Sequence, residues 1–342
     1  MMFYRLCTSG IITLFALFYL SPLRAQDLHY SQLYNNMITY NPGLTGIFNG
    51  DQRLAVSHRN QWSNIVPWQS FTASFDTKFL SRYERNKGSF FSGGILMNYD
   101  RSSDLSDLTL ANINVLGSYT QQLSQSHLLT LGALVGYASR GFDRQDLDWD
   151  NQWNITTFTF DQRLDPVEPL LSDRASYLET AVGINYRWQK DLRTKMDVGF
   201  GVYHLVPPGV GYQDVANVPL FRRYSLSGVG HLQMSENSDL VVFGQMQLQG
   251  PYREWILGAL KKLYLDQRPG HHLELHLGVG HRFDVAWFPV FAVQYNNFYG
   301  SISYDMNATG IRALKGIQPN TVEIHIEYKI RYPSWQRECP IY

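Results

Sequence analysis

The 342-residue sequence carries 29 basic and 29 acidic side chains, a formal charge of zero, which gives no electrostatic footing for nucleic-acid binding. Charged residues make up 17% of the chain, against roughly 25% in a typical soluble domain. Aromatic residues reach 14%, with 22 Tyr, 19 Phe and 8 Trp, an excess that points to a sheet protein with interfacial aromatic girdles.

In chain order, residues 1–25 stand apart. Arg5 precedes the apolar run Ile11 to Leu20, and "SPLRA" ends on Ala25, the pattern of a secretory signal peptide cut before Gln26. Ten apolar residues fall short of the about 20 that a spanning helix needs, so an uncleaved anchor is the weaker alternative. Without the leader the chain keeps 27 basic and 29 acidic residues, a formal charge of −2. Cys7 falls inside the leader, so Cys339 has no partner for an internal disulfide. No apolar run after residue 26 is long enough for a transmembrane helix, which leaves a periplasmic protein, a secreted one or an outer-membrane barrel.

Residues 26–50 form an N-terminal segment that lies on the periplasmic side or packs into a lumen. Fourteen strand-like segments follow: 52–62, 68–79, 89–100, 108–121, 127–139, 176–189, 194–205, 222–234, 239–249, 253–264, 271–282, 285–296, 298–306 and 321–332. Most exceed the usual globular strand of about 5–6 residues and match the about 9–11 needed to cross a bilayer. Their side chains alternate with period two. In Thr321 to Tyr332, Val322, Ile324, Ile326, Tyr328 and Ile330 share one face, and Glu323, His325, Glu327, Lys329 and Arg331 the other. Alternation alone does not separate a lipid-facing strand from a sandwich strand. One segment, 253–264, is apolar on both faces and suggests a bulge.

The connections sort by parity. Short ones (123–126, 190–193, 235–239, around Asn297) follow even strands; long ones (140–175, 206–221, 307–320) follow odd strands. Short turns at one end and long loops at the other are the plan of an outer-membrane barrel with both termini in the periplasm. The expected fold is all-β: a transmembrane antiparallel β-barrel of about 14 strands over 51–332, with a tail at 333–342.

Three places carry candidate chemistry. In "HHLELH", His272, Glu274 and His276 share a strand face at about 6.5–7 Å spacing. Metal ligands must converge within about 2–2.6 Å of one point, which i and i+2 neighbours do not guarantee, so a polar lumen ladder is the stronger reading. In "RQDLDWDNQW", Asp146, Asp148 and Asp150 alternate, but no EF-hand offsets are present. The same long loop carries Trp149, Trp153 and Phe158 amid polar residues, which marks Asp148, Trp149, Asp150, Trp153 and Phe158 as a partner-binding surface. No G-x-S-x-G, H-E-x-x-H or P-loop is present, so neither enzyme activity nor a cofactor is expected.

Four stretches resemble one family. "QDLHYSQLYNNMITYNPGLTG" (Gln26 to Gly46), followed by "RNQW" (Arg59 to Trp62), is similar to the start of the PorP/SprF family, outer-membrane proteins of the type IX secretion and gliding machinery of Bacteroidetes. Leu28 stands where that family usually has Pro. "LDWDNQW" (Leu147 to Trp153), "SISYDMNATGI" (Ser301 to Ile311) and the ending "CPIY" resemble three further family stretches, with Thr309 and Tyr342 as departures. The resemblance implies an outer-membrane barrel that helps export or hold secreted adhesins, without enzyme activity. Its partners would be a secreted surface cargo protein, other secretion components and outer-membrane lipid. Of the motif positions, Asn41, Pro42 and Gly43 suit a turn into the first strand, and Arg59, Asn60, Gln61 and Trp62, with Trp62 at the membrane interface, also read as structural. Tyr304, Asp305 and Asn307 belong to the penultimate strand. The rival readings are a passive porin or small-solute transporter, and a secreted soluble β-sandwich.

Overall fold

The computed structural model describes residues 27–63, 67–79, 89–102, 108–143, 149–161, 163–164, 173–210, 219–268, 270–307 and 320–332. The expected leader at 1–25 and tail at 333–342 lie outside these residues.

Among the described residues there are sixteen strands: β1 Gln52–Gln61, β2 Trp68–Phe79, β3 Phe90–Ser102, β4 Thr109–Ser124, β5 His127–Gly141, β6 Trp153–Asn154, β7 Thr159–Phe160, β8 Arg174–Gln189, β9 Lys195–Tyr203, β10 Arg223–Ser235, β11 Ser238–Gln249, β12 Tyr252–Asp266, β13 Leu273–Arg282, β14 Ala286–Tyr295, β15 Phe298–Asn307 and β16 Asn320–Ile330. All but β6 and β7 form one closed barrel of fourteen antiparallel strands, in which β5 pairs with β8 and β16 closes on β1. Closure runs from Gln52 opposite Ile330 to Gln61 opposite Thr321. Barrel strands run from 9 residues in β9 to 16 in β4, long enough to cross a bilayer.

The period-two pattern sets the two surfaces. On β16, Ile324, Ile326 and Tyr328 point outward, and Thr321, Glu323, His325 and Glu327 are buried inside. The charges of that inner face pair as their spacing suggests, with Lys329 Nζ 2.6 Å from Glu327 Oε1. The same outward apolar rows recur on β4, where Ile113 and Val115 are exposed, and on β9, where Met196, Val198 and Phe200 are.

The segment 27–50 packs into the lumen as an internal plug. It forms three short 3-10 turns, Leu33–Asn35, Met37–Thr39 and Pro42–Leu44. Two apolar clusters seat it. Leu33 and Tyr40 pack with Val229, Val241, Phe243, Ile256, Leu260, Phe288 and Val290, on β10, β11, β12 and β14. Ile38, Leu44 and Ile47 pack with Leu96, Leu116, Leu134, Ala181 and Tyr203, on β3 to β5, β8 and β9. This explains the two-sided apolar pattern of 253–264. Trp255 and Leu257 are exposed outward, while Ile256 and Leu260 face the plug. A register shift does occur, between Tyr264 and Asp266, but beyond that segment.

Candidate functional site

The plug's polar contacts begin with residues remote in sequence. Glu323, fully buried on β16, accepts from the backbone N–H of Ser31 (2.7 Å) and Gln32 (3.0 Å). Ser31 Oγ donates to Asp305 Oδ2 on β15 at 2.7 Å. Arg59 on β1 donates to the same Asp305 oxygen at 3.1 Å and to the His29 carbonyl at 2.9 Å. Arg282 Nη2 donates to Ser31 Oγ at 3.1 Å. The "SQ", "RNQW" and "SYD" stretches therefore meet in one buried clamp. Hydrogen bonds with one ionised partner are roughly twice as strong as neutral ones, and burial keeps water from competing. Cations on both sides and burial hold the His29 imidazole well below its ordinary pKa: desolvation is the main cause, with Arg282 and Arg59 adding to it.

The turn at Asn41 to Gly43 sits in a cradle of glycines. Asn41 Oδ1 accepts from Gly43 N at 2.8 Å, and Asn41 Nδ2 donates to the Ile184 carbonyl at 2.9 Å. Gly132 on β5, Gly183 on β8 and Gly199 and Gly201 on β9 line it. A Cβ at any of them would overlap Pro42, Asn41 or Tyr40. Side chains are absent here because the plug backbone at Gly132 and Gly201, and the Asn41 side chain at Gly183 and Gly199, come too close to the wall. Further along, Gly46 N donates to Asp76 Oδ2 at 2.8 Å, and Arg53 holds the same carboxylate at 2.8 Å.

At the long-loop end Asp27 is the anchor. His204 Nε2 lies 2.6 Å from Asp27 Oδ2, Arg140 Nη2 donates to Oδ1 at 2.8 Å, and Gln249 Nε2 donates to Oδ2 at 3.1 Å. His204 leaves β9 with a φ of 54°, an uncommon left-handed conformation that turns its ring inward. Its Nδ1 is also 3.0 Å from Glu179 Oε1, in ion-pair contact without hydrogen-bond alignment. Burial opposes a charge on His204, but Asp27 and Glu179 outweigh it and raise its pKa to about 9. Burial pushes the Asp27 carboxyl up, but His204, Arg223 and Arg140 together draw it well below the usual carboxylate range.

At the opposite end, His276 Nε2 is 2.9 Å from Glu274 Oε2, and His272 Nε2 meets Oε1. Lys262 Nζ is 2.7 Å from Glu274 Oε2. The three candidate ligands do come together, with both imidazoles and the Lys262 ammonium on the Glu274 carboxylate. His272 precedes β13 instead of lying on it. Among the described residues no group of three or more His, Cys, Asp or Glu is arranged to hold a metal ion.

In the long loop, the described residues 149–161 and 163–164 gather around Gln152, whose side chain is buried. Its Oε1 accepts from Trp149 N at 3.1 Å and its Nε2 donates to the Leu164 carbonyl at 2.8 Å. Asp150 opens the 3-10 turn Asp150–Gln152. β6 and β7 then form a small hairpin whose Asn154 Oδ1 accepts from Thr156 N at 2.9 Å and Thr157 N at 3.2 Å. Trp153 packs tilted against Phe160 at 4.9 Å and meets Phe158 edge-on at 6.3 Å. Ile155 is 77% and Phe158 73% exposed, and Phe158 has a φ of 51°. Asp148 lies outside the described residues, and Asp146 with it.

Of the motif positions, Arg59 and Asp305 are inward and buried, while Tyr304 points outward. Gln61 ends β1, Asn60 faces outward and Trp62 is 39% exposed just beyond the strand, with a φ of 56°. Asn307 closes β15. Sequence reasoning missed Asp27, Gln152, His204 and Glu323. It also missed the cradle, whose signal was glycine on the inner face of adjacent strands.

The fold is similar to several solved outer-membrane barrels. The toluene transporter TbuX of Ralstonia pickettii aligns with a TM-score of 0.52 at 10% identity, covering 86% of this chain and 93% of that one. A FadL homologue of Pseudomonas aeruginosa aligns with a TM-score of 0.51 at 11% identity, covering 85% and 93%. No curated protein matches by sequence. The sequence profile of the type IX secretion system membrane protein PorP/SprF matches residues 23–328. The plugged outer-membrane barrel described above is thus a member of the type IX secretion system membrane protein PorP/SprF family.

Proposed function

We propose that this barrel is a type IX secretion and gliding accessory that helps export or anchor a secreted surface protein, acting by binding and without chemistry. The observation that carries the reading is the filled lumen. Tyr30, Leu33, Gln32 and Tyr40 are fully buried inside, and the plug touches the wall on nearly every strand. A barrel filled by its own chain has its outer loops left for recognition. The hairpin of β6 and β7 offers four apolar side chains, Trp153, Ile155, Phe158 and Phe160, which suit a protein partner. Trp149 and Asp150 stand at its base. The outward rows of Ile324, Ile326 and Tyr328 are read as contacts with membrane lipid, and residues 1–25 as a cleaved export signal.

The test is affinity isolation of the tagged barrel from intact membranes. Recovery of a surface-exported protein or a secretion component is expected, reduced by Phe158→Ser with Ile155→Ser. Recovery of neither overturns the reading. The similarity to hydrocarbon transporters speaks for the fold alone, and the filled lumen weighs against a passive porin. A steady, large conductance in planar bilayers without cargo would favour the porin instead.

A further inference from the structure

The two sides of the plug differ. Toward the long loops, Leu28, Tyr30, Ser31 and Gln32 are buried. Toward the short turns, Tyr34, Asn35 and Met37 are only half-buried, so the lumen opens there beneath a roof that includes an aromatic ring and a thioether. The wall around this vestibule carries the basic side chains Arg187, Lys195, His231, Lys262, His276 and Lys329. Strand register places Lys195 beside His231 and Lys262 beside His276. Three of the four Lys and Arg side chains have carboxylate partners. Arg187 is 2.8 Å from Asp197, Lys262 2.7 Å from Glu274 and Lys329 2.6 Å from Glu327. Lys195 and His231 have no side-chain hydrogen bond or ion pair among the described residues, and both are half-buried. The Lys262 and Lys329 side chains keep 18% and 20% of their surface, enough for a ligand to reach them.

A cation left unpaired inside a barrel is costly unless water or a counter-charge meets it, and low-dielectric walls focus its field toward the opening. The feature is separate from the outer loops and from the proposed cargo contact. We infer that the vestibule on the short-turn side is a docking site for an acidic, partly apolar segment of a partner protein entering from the periplasm. Carboxylates of the segment would meet Lys195 and the neighbouring ammonium groups, and an apolar side chain would meet Tyr34 and Met37. Charge complementarity and the amphipathic roof commit the site to such a segment in preference to a bare anion.

The experiment uses the full barrel in nanodiscs and a fluorescein-labelled ten-residue peptide of alternating Glu and Leu, read by anisotropy. Alternating Gln–Leu and Lys–Leu peptides and inorganic phosphate are the controls. The Glu–Leu peptide should bind, more weakly at high salt, and Lys195→Glu should weaken it about tenfold while Lys195→Arg keeps it. If Lys195→Glu does not assemble, judged by the heat-dependent gel shift, Lys195→Gln replaces it and should weaken binding by a smaller factor. Equal binding of the Gln–Leu peptide, indifference to the Lys195 variants, or full displacement by equimolar phosphate would each overturn the inference. The result is independent of whether the outer loops recover cargo.

Discussion

The plug meets two unlike walls. On β1, β15 and β16 the lumen is polar and charged, and Arg59, Asp305 and Glu323 hold Ser31, Gln32 and the His29 carbonyl by directed bonds. On β11, β12 and β14 an apolar patch of the lumen, Val241, Phe243, Ile256, Leu260 and Phe288, packs on Leu33 and Tyr40. The apolar wall supplies non-directional burial, which holds the plug in but would tolerate sliding. The polar wall supplies geometry, because a carboxylate paired with two backbone N–H groups accepts one register. Together they fix a segment that has little regular secondary structure of its own.

If this division holds, conservative changes should separate the walls. Arg59→Ala leaves Asp305 buried without its cation and should cost about 3–5 kcal/mol of stability. Temperature-dependent loss of the folded gel form reads this out. On the apolar wall the volume-conserving Ile256→Leu should cost less than about 1.5 kcal/mol by the same assay, and a loss equal to that of Arg59→Ala would break the comparison.

The outer surface offers a control. Ile324→Arg places a charge on an outward position and should cost about 2–4 kcal/mol at mid-bilayer depth. Normal assembly would contradict the lipid-facing assignment. In the cradle, Gly183→Ala adds a methyl where Asn41 already sits, and overpacking should cost about 1–3 kcal/mol. Its signature is faster hydrogen exchange at Gly43 and Leu44 with the barrel amides unchanged.

The smallest expected effect is a pH dependence at the Asp27 anchor. His204 has a raised folded pKa, so its contribution is complete below the ordinary value of about 6.5 and disappears as pH rises through about 9. Asp27 has a lowered one, so its share is present above about 3.9 and lost as pH falls further. Arg140 and Arg223 also face Asp27, and Glu179 faces His204. Hydrogen exchange at Leu28, corrected for intrinsic rates, should therefore accelerate between pH 6.5 and 9. The amides of Leu44 and Ile47, seated in the apolar cluster, should not follow it. His204→Gln should abolish the difference.

The amino-acid sequence by itself determined the barrel. Fourteen long strands with period-two alternation and loops sorted by parity are local properties, and each strand's outer face must be apolar along its whole length. Its neighbour-to-neighbour closure followed from the count. Tertiary structure alone decided what fills the lumen. The plug is a loop-like stretch whose partners, Glu323, Asp305, Arg282 and His204, lie 177 to 292 residues away, and no periodicity announces such contacts. The same cause made 253–264 look irregular. Its inner apolar residues made sense only once Leu33 and Tyr40 were placed against them. The motif residues Arg59 and Asp305, scattered along the chain, acquired one role when closure of β1 on β16 brought them within 3.1 Å of each other.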